Sequence, residues 1–183
     1  MWESTFAPRL LSLALSSENY RKWMGAYGVP IPSAVLESGD IIQMEKNDIP
    51  VLGFLSIFSL LHGRDQQANK CASDSIYREF KGSYDSAEVL DEIRKRKLTQ
   101  LVLIKFGAGM GKYYVCVDDD LAEVKGNFTA GLRLLMQLHF VLRLKYDSKG
   151  LSTYWIFEHC YGLETKLRYL SVVAEILCKL FKD

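Results

Sequence analysis

The chain has 183 residues, of which 49% are hydrophobic and 25% are charged, and its formal net charge is +1. This composition excludes an intrinsically disordered chain and is typical of one globular domain or two small ones. A net charge near zero creates no overall field toward nucleic acid or anionic lipid. The two halves differ, because residues 1–91 contain 8 basic and 12 acidic side chains whereas residues 92–183 contain 15 and 10. That split suits an acidic part docked on a basic part, or head-to-tail association between copies.

Neither long apolar run reaches the roughly 18 to 20 residues that a membrane-spanning helix needs. The run Ile49–Leu61 contains Pro50, and the run Leu132–Leu144 contains four polar or charged residues. At the N-terminus, Glu3 stands where a secretory signal has its basic region. We therefore expect an intracellular protein, cytoplasmic or nuclear, with no membrane partner.

Four cysteines lie far apart and form no CxxC pair: Cys71, Cys116, Cys160 and Cys178. Disulfide scaffolds are usually short, dense in cysteine and secreted, and a zinc site needs about four ligands at workable spacing. His159 next to Cys160 is the only adjacent pair of soft ligands in the sequence. We expect reduced cysteines in the core, and neither a metal nor a cofactor.

The N-terminal third of the chain is predicted to be helical. Pro8 suits the first turn of a helix, and the leucines that follow it form an apolar stripe. Asp48 and Pro50 precede a second apolar segment that ends at Gly63. We expect four or five short helices between residues 8 and 62, which together form a bundle over residues 1–65.

The residues between Trp23 and Leu61 follow a distinctive order. They are Trp23, Tyr27–Gly28–Val29, Ala34–Val35–Leu36, Asp40–Ile41–Ile42, Asp48–Ile49, Leu52–Gly53, Ile57, Phe58 and Leu61. This order resembles the sterile alpha motif (SAM) family. The resemblance implies a five-helix bundle that associates with proteins, often with itself, through the start of its last helix and the middle of the domain. The chain departs from the family at Pro50, where the motif has a turn, and in the lack of basic residues on the last helix.

The central part of the chain begins with a polar stretch, residues 64–84, which predicts a linker or an irregular strand region. Asp85 and Glu88 then have the spacing of a capping box, which predicts the start of a helix. Val89 and Ile93 belong to the buried stripe of this helix. It ends in the basic run Arg94–Lys97, where cations are favoured by the helix dipole.

Two short β-prone runs, Leu101–Phe106 and Tyr113–Val117, predict a β-hairpin over about residues 100–118. The connecting loop Gly107–Lys112 has the spacing GxxxGK, one residue shorter than a phosphate-binding P-loop. Tyr113 also replaces the serine or threonine that would bind Mg²⁺. We interpret the loop as a hairpin turn.

Two further helices are predicted, over about residues 127–146 and 165–181, with a short helix or strand over Thr153–Cys160 between them. The first is apolar nearly all round, which is typical of a buried helix. The last has two apolar stripes, more than one core contact uses, so that the surplus is available to a second subunit. With the hairpin, these elements predict an α+β domain over residues 66–183. The whole chain is therefore expected to be α+β and mainly helical.

The segment from Asn127 to Gly162 has an order of its own. It contains Leu132, Leu135, His139–Phe140–Val141–Leu142, Leu144, Tyr146, Trp155, Phe157 and Tyr161–Gly162. This order resembles the C-terminal segment of uncharacterised, partly transposon-associated metazoan proteins, some of which also contain a SAM-like region. The resemblance implies a family placement and no particular activity.

Action on nucleic acid is the competing interpretation. A binder would contact phosphate with the basic run Arg94, Lys95, Arg96 and Lys97. A degenerate metal-dependent nuclease would use Asp118, Glu123 and Lys125, because carboxylates hold Mg²⁺ and a lysine stabilises developing charge. Solvated charges at a helix end and at a turn explain both patterns more simply.

Catalysis is not indicated by the histidines, since none has a serine or cysteine partner in a recognisable triad setting. His139 lies within the apolar helix, and we expect a buried, hydrogen-bonded core residue with a lowered pKa. The sequence therefore predicts a non-enzymatic protein–protein interaction or self-assembly module, whose partner includes a second copy of the chain. The expected partner contacts are Leu52, Phe54, Val173, Ile176 and Leu180.

Overall fold

A computed structural model describes residues 1–16, 48–63, 65–80, 85–95, 101–107, 111–118, 120–163 and 171–181. The chain divides into two compact units, residues 1–70 with 151–183, and residues 71–150. This division differs from the expected boundary near residue 65, because the C-terminal helices pack with the N-terminal ones. Residues 23–47 of the SAM-like stretch lie outside the described residues.

The first unit is built from helices that come from both ends of the chain. A π-helical turn, Trp2–Phe6, leads directly into α1 (Ala7–Leu15). The described part of this unit also contains α2 (Ile49–His62), α6 (Leu151–Cys160) and α7 (Ser171–Leu180). A further helix, α3 (Gln66–Asp74), crosses the boundary between the units. Prolines 8 and 50 both lie in the first turn of their helices, where a missing N–H costs nothing.

Aromatic side chains form the core of the first unit. The ring of Phe54 on α2 lies 5.1 Å from that of Phe58 and 5.7 Å from that of Phe157 on α6. Trp2 packs edge-on against Phe157 at 5.3 Å, and its indole N–H donates to the Pro50 carbonyl at 3.3 Å. The N-terminal turn is thereby fixed to both α2 and α6, and it completes a core that neither chain end forms alone.

Close packing of α1 on α2 depends on a glycine. A Cβ atom at Gly53 would lie 2.5 Å from the Ala7 carbonyl oxygen and 2.6 Å from its Cα, so the backbones themselves would collide. We expect Gly53→Ala to lower the free energy of unfolding by about 2 kcal/mol, because overpacking outweighs the gain in helix propensity. Chemical denaturation measures the change.

Gly131 provides a matched control for this prediction. It also lies inside a helix, but a Cβ there would meet the end of the flexible Leu103 side chain, at 2.5 Å, and no backbone atom. Gly131→Ala should therefore change the stability by less than about 1 kcal/mol. Equal losses from the two substitutions would show that backbone contact does not decide the outcome at Gly53.

The second unit is a four-stranded sheet with the strand order β1-β2-β3-β4. Its strands are β1 (Tyr77–Phe80), β2 (Leu101–Phe106), β3 (Lys112–Val117) and β4 (Asp120–Glu123). The first two are parallel and the other pairs are antiparallel. Helix α4 (Ser86–Lys95) connects β1 to β2, and α5 (Phe128–Val141) follows β4.

One helix covers each face of this sheet. On one face, Val89 and Ile93 of α4 form a buried cluster with strand residues that include Val102 and Ile104. On the other face, Phe128 of α5 packs edge-on against the rings of Tyr77 and Tyr113, at 5.4 and 6.2 Å. Both faces of β2 are covered, which explains why its sequence is apolar almost throughout and not alternating.

The structure confirms the α+β, mainly helical class and the hairpin packed on helices. The capping box also forms, with the Glu88 N–H donating to the Asp85 carboxylate at 2.8 Å and the Asp85 N–H donating to the Glu88 carboxylate at 3.1 Å. The stretch 64–84, expected to be a linker or an irregular strand region, contains both the helix α3 and the strand β1. Thr153–Cys160, expected to be a helix or a strand, is helical. Cys116 and Cys160 are buried, as expected of core cysteines, whereas Cys178 is exposed. No described helix is long and apolar enough to cross a bilayer.

Candidate interaction surface

The five side chains expected to contact a partner all belong to the interior of the first unit. Leu52, Phe54, Val173, Ile176 and Leu180 are buried, and none is more than 4% exposed. The surplus apolar face that we expected on α7 is therefore not a surface. The physical reason is that the N-terminal and C-terminal segments fold into one unit. Helices from the start of the chain therefore cover the apolar face of α7, and no pattern in the sequence indicates that packing. At the end of α7, the Arg9 guanidinium of α1 donates to the Leu180 carbonyl at 2.7 Å.

Among the described residues, the longest run of exposed large apolar side chains lies instead at the end of α5. Phe140, Val141 and Leu142 are 71%, 73% and 47% exposed, and we call these three consecutive residues the α5 tip. The helix predicted over residues 127–146 ends at Val141, and Phe140 and Val141 in its last turn are exposed, although His139 is buried. Contiguous exposed apolar residues mark interaction surfaces more often than single ones do.

A Schellman motif ends α5 and produces the tip. The Leu144 N–H donates to the His139 carbonyl at 3.1 Å, and the Arg143 N–H donates to the Phe140 carbonyl at 3.3 Å. Arg143 adopts φ +52°, a left-handed conformation that glycine usually provides and that costs another residue about 1 kcal/mol. The chain reverses sharply there, which leaves the three residues before Arg143 outside the core.

His139 holds the segment beyond the tip against the helix. It is 5% exposed, and its ring lies 4.9 Å from that of Tyr146. Burial lowers the pKa of His139 to about 4, although a hydrogen bond with the Leu144 backbone acts in the opposite direction. The ring is therefore neutral at neutral pH, as expected from its position on an apolar helix face.

Cations surround the α5 tip in the sequence and are exposed in the structure. They are Arg133, Arg143, Lys145 and Lys149. The only acidic residue between positions 124 and 150 is Asp147, whose carboxylate accepts from the Lys149 backbone N–H at 2.7 Å. None of the four cations forms an ion pair with another residue that the structure describes. The α5 tip is thus an apolar projection in a region of net positive charge.

The basic run at the end of α4 is only partly within the described residues. Arg94 and Lys95 are exposed, and Arg94 forms an ion pair of 3.4 Å with Asp91, one turn earlier. Arg96 and Lys97 lie outside the described residues. The visible part has the arrangement of a solvated helix end, where cations interact favourably with the dipole.

The residues of the nuclease interpretation are not brought together. Asp118 occupies the β3–β4 turn with φ +52°, whereas Glu123 is at the far end of β4 and pairs with Lys112 at 3.3 Å. The four residues of β4 rise by about 3.3 Å each, which puts these carboxylates more than about 10 Å apart. Lys125 is exposed beyond the strand. Among the described residues, no group of three or more histidine, cysteine or acidic side chains could hold a metal ion.

The Gly107–Lys112 loop connects two antiparallel strands, whereas a P-loop connects a strand to a helix. Residues 108–110 of this loop lie outside the described residues. The hairpin interpretation of its flanking strands is confirmed, and the strand that follows begins at Lys112 itself.

An ion pair on the sheet was not predicted. Lys105 and Glu79 lie directly opposite each other on β2 and β1, and the Lys105 Nζ is 3.0 Å from the Glu79 carboxylate. Burial raises the pKa of the neighbouring Tyr77 well above 10, and the charges of Glu79 and Tyr113 raise it further. A paired lysine and a neutral phenol are typical of a cross-strand structural contact. The ion pair between Lys105 and Glu79 exists because β1 pairs with β2 in parallel. No local sequence pattern predicts that pairing.

A comparison of the chain with family models, with curated proteins and with solved structures gave no match.

Proposed function

We propose that this chain is a non-enzymatic protein–protein interaction module that associates through the α5 tip, with a second copy of itself as a partner. The observation that supports the proposal is the exposure of three consecutive large apolar side chains at the end of a helix whose other apolar positions are mostly buried. Exposed apolar surface of this kind is unfavourable in water, and it becomes favourable when a partner covers it.

Binding to nucleic acid remains the second candidate because of the four exposed cations near the tip. Phosphate contacts would use these cations and leave Val141 and Leu142 in water. Aromatic stacking on bases would use Phe140 alone. A protein surface covers both the apolar and the charged groups, which is why we favour it.

The experiment compares the wild type with the double variant Phe140→Ser/Val141→Ser by analytical ultracentrifugation over a range of concentrations. Both residues are exposed, so the variant should keep the native fold, as circular dichroism can verify. Leu163→Ser, at an exposed apolar position of the first unit, is the matched control. We expect concentration-dependent association in the wild type and the control, and its loss in the double variant.

Two results would overturn the proposal. One is identical sedimentation of the wild type and the double variant at every concentration. The other is a monomeric wild type that binds a fluorescent duplex or single-stranded oligonucleotide in a salt-dependent way, which would favour the nucleic-acid function.

A further inference from the structure

An acidic turn lies in the same unit as the basic, apolar α5 tip. It connects β3 to β4: Asp118 directly follows β3, Asp120 begins β4, and both are exposed. Neither forms an ion pair with another described residue. Strand β4 is an edge of the sheet, with Ala122 exposed and Leu121 half-buried. We call Asp118, Asp120, Leu121 and Ala122 the acidic edge.

The acidic edge and the α5 tip lie at the same end of the sheet. The chain enters α5 near the start of β3, because the Val124 N–H donates to the Tyr113 carbonyl at 2.8 Å and the helix begins four residues later at Phe128. Three residues later, Gly131 lies against Leu103, which is opposite Val115 in the middle of β3. The helix therefore runs along β3 toward its end, where the turn at Asp118 follows.

A second observation places the basic segment after the tip at this end too. Gly150 packs against Ile76, which directly precedes β1. Tyr77 at the start of β1 is beside Leu103, so Ile76 lies beside Val102. Val102 is opposite Cys116, the last residue but one of β3. The chain from the tip to Gly150, with its cations, thus stays at the end of the sheet that contains the acidic edge.

Resting on the proposed function, we propose that the α5 tip is covered by the acidic edge of a second copy of the chain, in a reciprocal two-fold dimer. Charge complementarity indicates that the acidic edge, and not a second α5 tip, covers the α5 tip. A contact between two tips would set Arg143 and Lys145 of both copies against each other, whereas the acidic edge offers carboxylates for the cations and Leu121 and Ala122 for the apolar side chains. Since the two surfaces lie at one end of each copy, a single two-fold rotation can pair both at once.

Charge reversal provides a test that uses the full chain alone. In the tip variant Lys145→Glu/Lys149→Glu, the segment after each α5 tip becomes negatively charged and faces the negatively charged acidic edge of the other copy. In the edge variant Asp118→Asn/Asp120→Lys, each basic tip meets a less acidic edge with a lysine; asparagine is chosen because it tolerates the positive φ at position 118. We expect each variant to weaken dimerisation by at least about tenfold on its own, because repulsion replaces attraction across the contact.

An equimolar mixture of the two variants should dimerise again. In the mixed dimer, the acidic tip of one variant meets the basic edge of the other, and the remaining contact is that of the wild type. Ultracentrifugation with one variant fluorescently labelled should therefore detect a heterodimer in 1:1 ratio. Lys95→Glu, at an exposed cation on α4, is the control and should dimerise like the wild type. The wild-type dimer should also weaken as the salt concentration rises.

Failure of this inference is distinguishable from failure of the proposed function. If Phe140→Ser/Val141→Ser abolishes association but the edge variant associates normally, or the mixture stays monomeric, the acidic edge is not the occupant and the interaction function stands. If instead the wild type is a monomer and binds vesicles of phosphatidylcholine and phosphatidylserine, or an oligonucleotide, through the tip, both are overturned. Assemblies larger than a dimer would contradict the two-fold arrangement.

Discussion

Replacing Phe54 by alanine should lower the free energy of unfolding by about 4 kcal/mol, one of the largest effects expected of any single substitution in the chain. The ring is fully buried and lies between those of Phe58 and Phe157, so its removal leaves a cavity between α2 and α6. The loss combines the transfer free energy of the ring with the contacts that the cavity walls lose. Urea denaturation followed by fluorescence measures it.

Phe140→Ala is the matched control, because it makes the same chemical change at a side chain that is 71% exposed. We expect it to alter the stability by less than about 0.5 kcal/mol. The pair of substitutions therefore separates a core phenylalanine from a surface one. If Phe54→Ala left the stability unchanged and reduced association instead, Phe54 would be the partner contact that the sequence predicted, and its burial would be misassigned.

Local signals explain the parts of this fold that the sequence could predict. The capping box at Asp85 and Glu88 depends on residues three positions apart, and the β2–β3 hairpin depends on two β-prone runs joined by glycines. Both patterns specify their structure within one element or between neighbours. Each forms as predicted because no distant contact is needed to decide it.

Distant pairings explain what the sequence could not provide. The two apolar stripes of α7 indicate a surplus of apolar surface only if α1 and α2, more than 100 residues earlier, are expected to form a separate domain. Strand β1 is four residues long, includes Arg78 and Glu79, and becomes a strand through parallel pairing with β2 across the intervening helix α4. Neither pairing has a signal in local composition, since each is decided by which elements meet in space.

The α5 tip lies between these two cases. The sequence contains the apolar run from Leu132 to Leu144, and an apolar run of that kind is normally buried. The sequence does not predict where the helix ends, because Arg143 occupies the left-handed position at which a glycine usually indicates a helix C-terminus. A helix end three residues earlier than the run itself converts core residues into a surface, and the interaction function depends on that difference.

Acidification should destabilise the protein through His139. Its pKa is about 4 in the folded chain, against an ordinary value of 6.5. Between these two pH values, the unfolded state is protonated at His139 and the folded state is not, so the unfolded state binds more protons. The stability should therefore fall as the pH is lowered from about 6.5 to about 4, by about 3 kcal/mol in total, and be independent of this group above that range.

The measurement is the free energy of unfolding in urea at several pH values, for the wild type and for His139→Leu. Leucine cannot be protonated, so the variant should lose most of the pH dependence in this window whatever its stability at neutral pH. His62→Gln is the control, because burial lowers the pKa of His62 as well and Asp65 partly opposes the shift. That second histidine acts in the same direction, and its removal should flatten the profile less.

The same titration bears on the tip, because His139 and the Leu144 backbone are joined by the hydrogen bonds that end α5. A protonated ring would have to leave its apolar site beside Tyr146, and the Schellman motif would lose its support. Association through the α5 tip should then weaken below about pH 4, in parallel with the His139 titration seen by NMR. If His139 titrated near 6.5 with no change in stability or association, its ring would be hydrated, and the structure assigned here to the end of α5 would be incorrect.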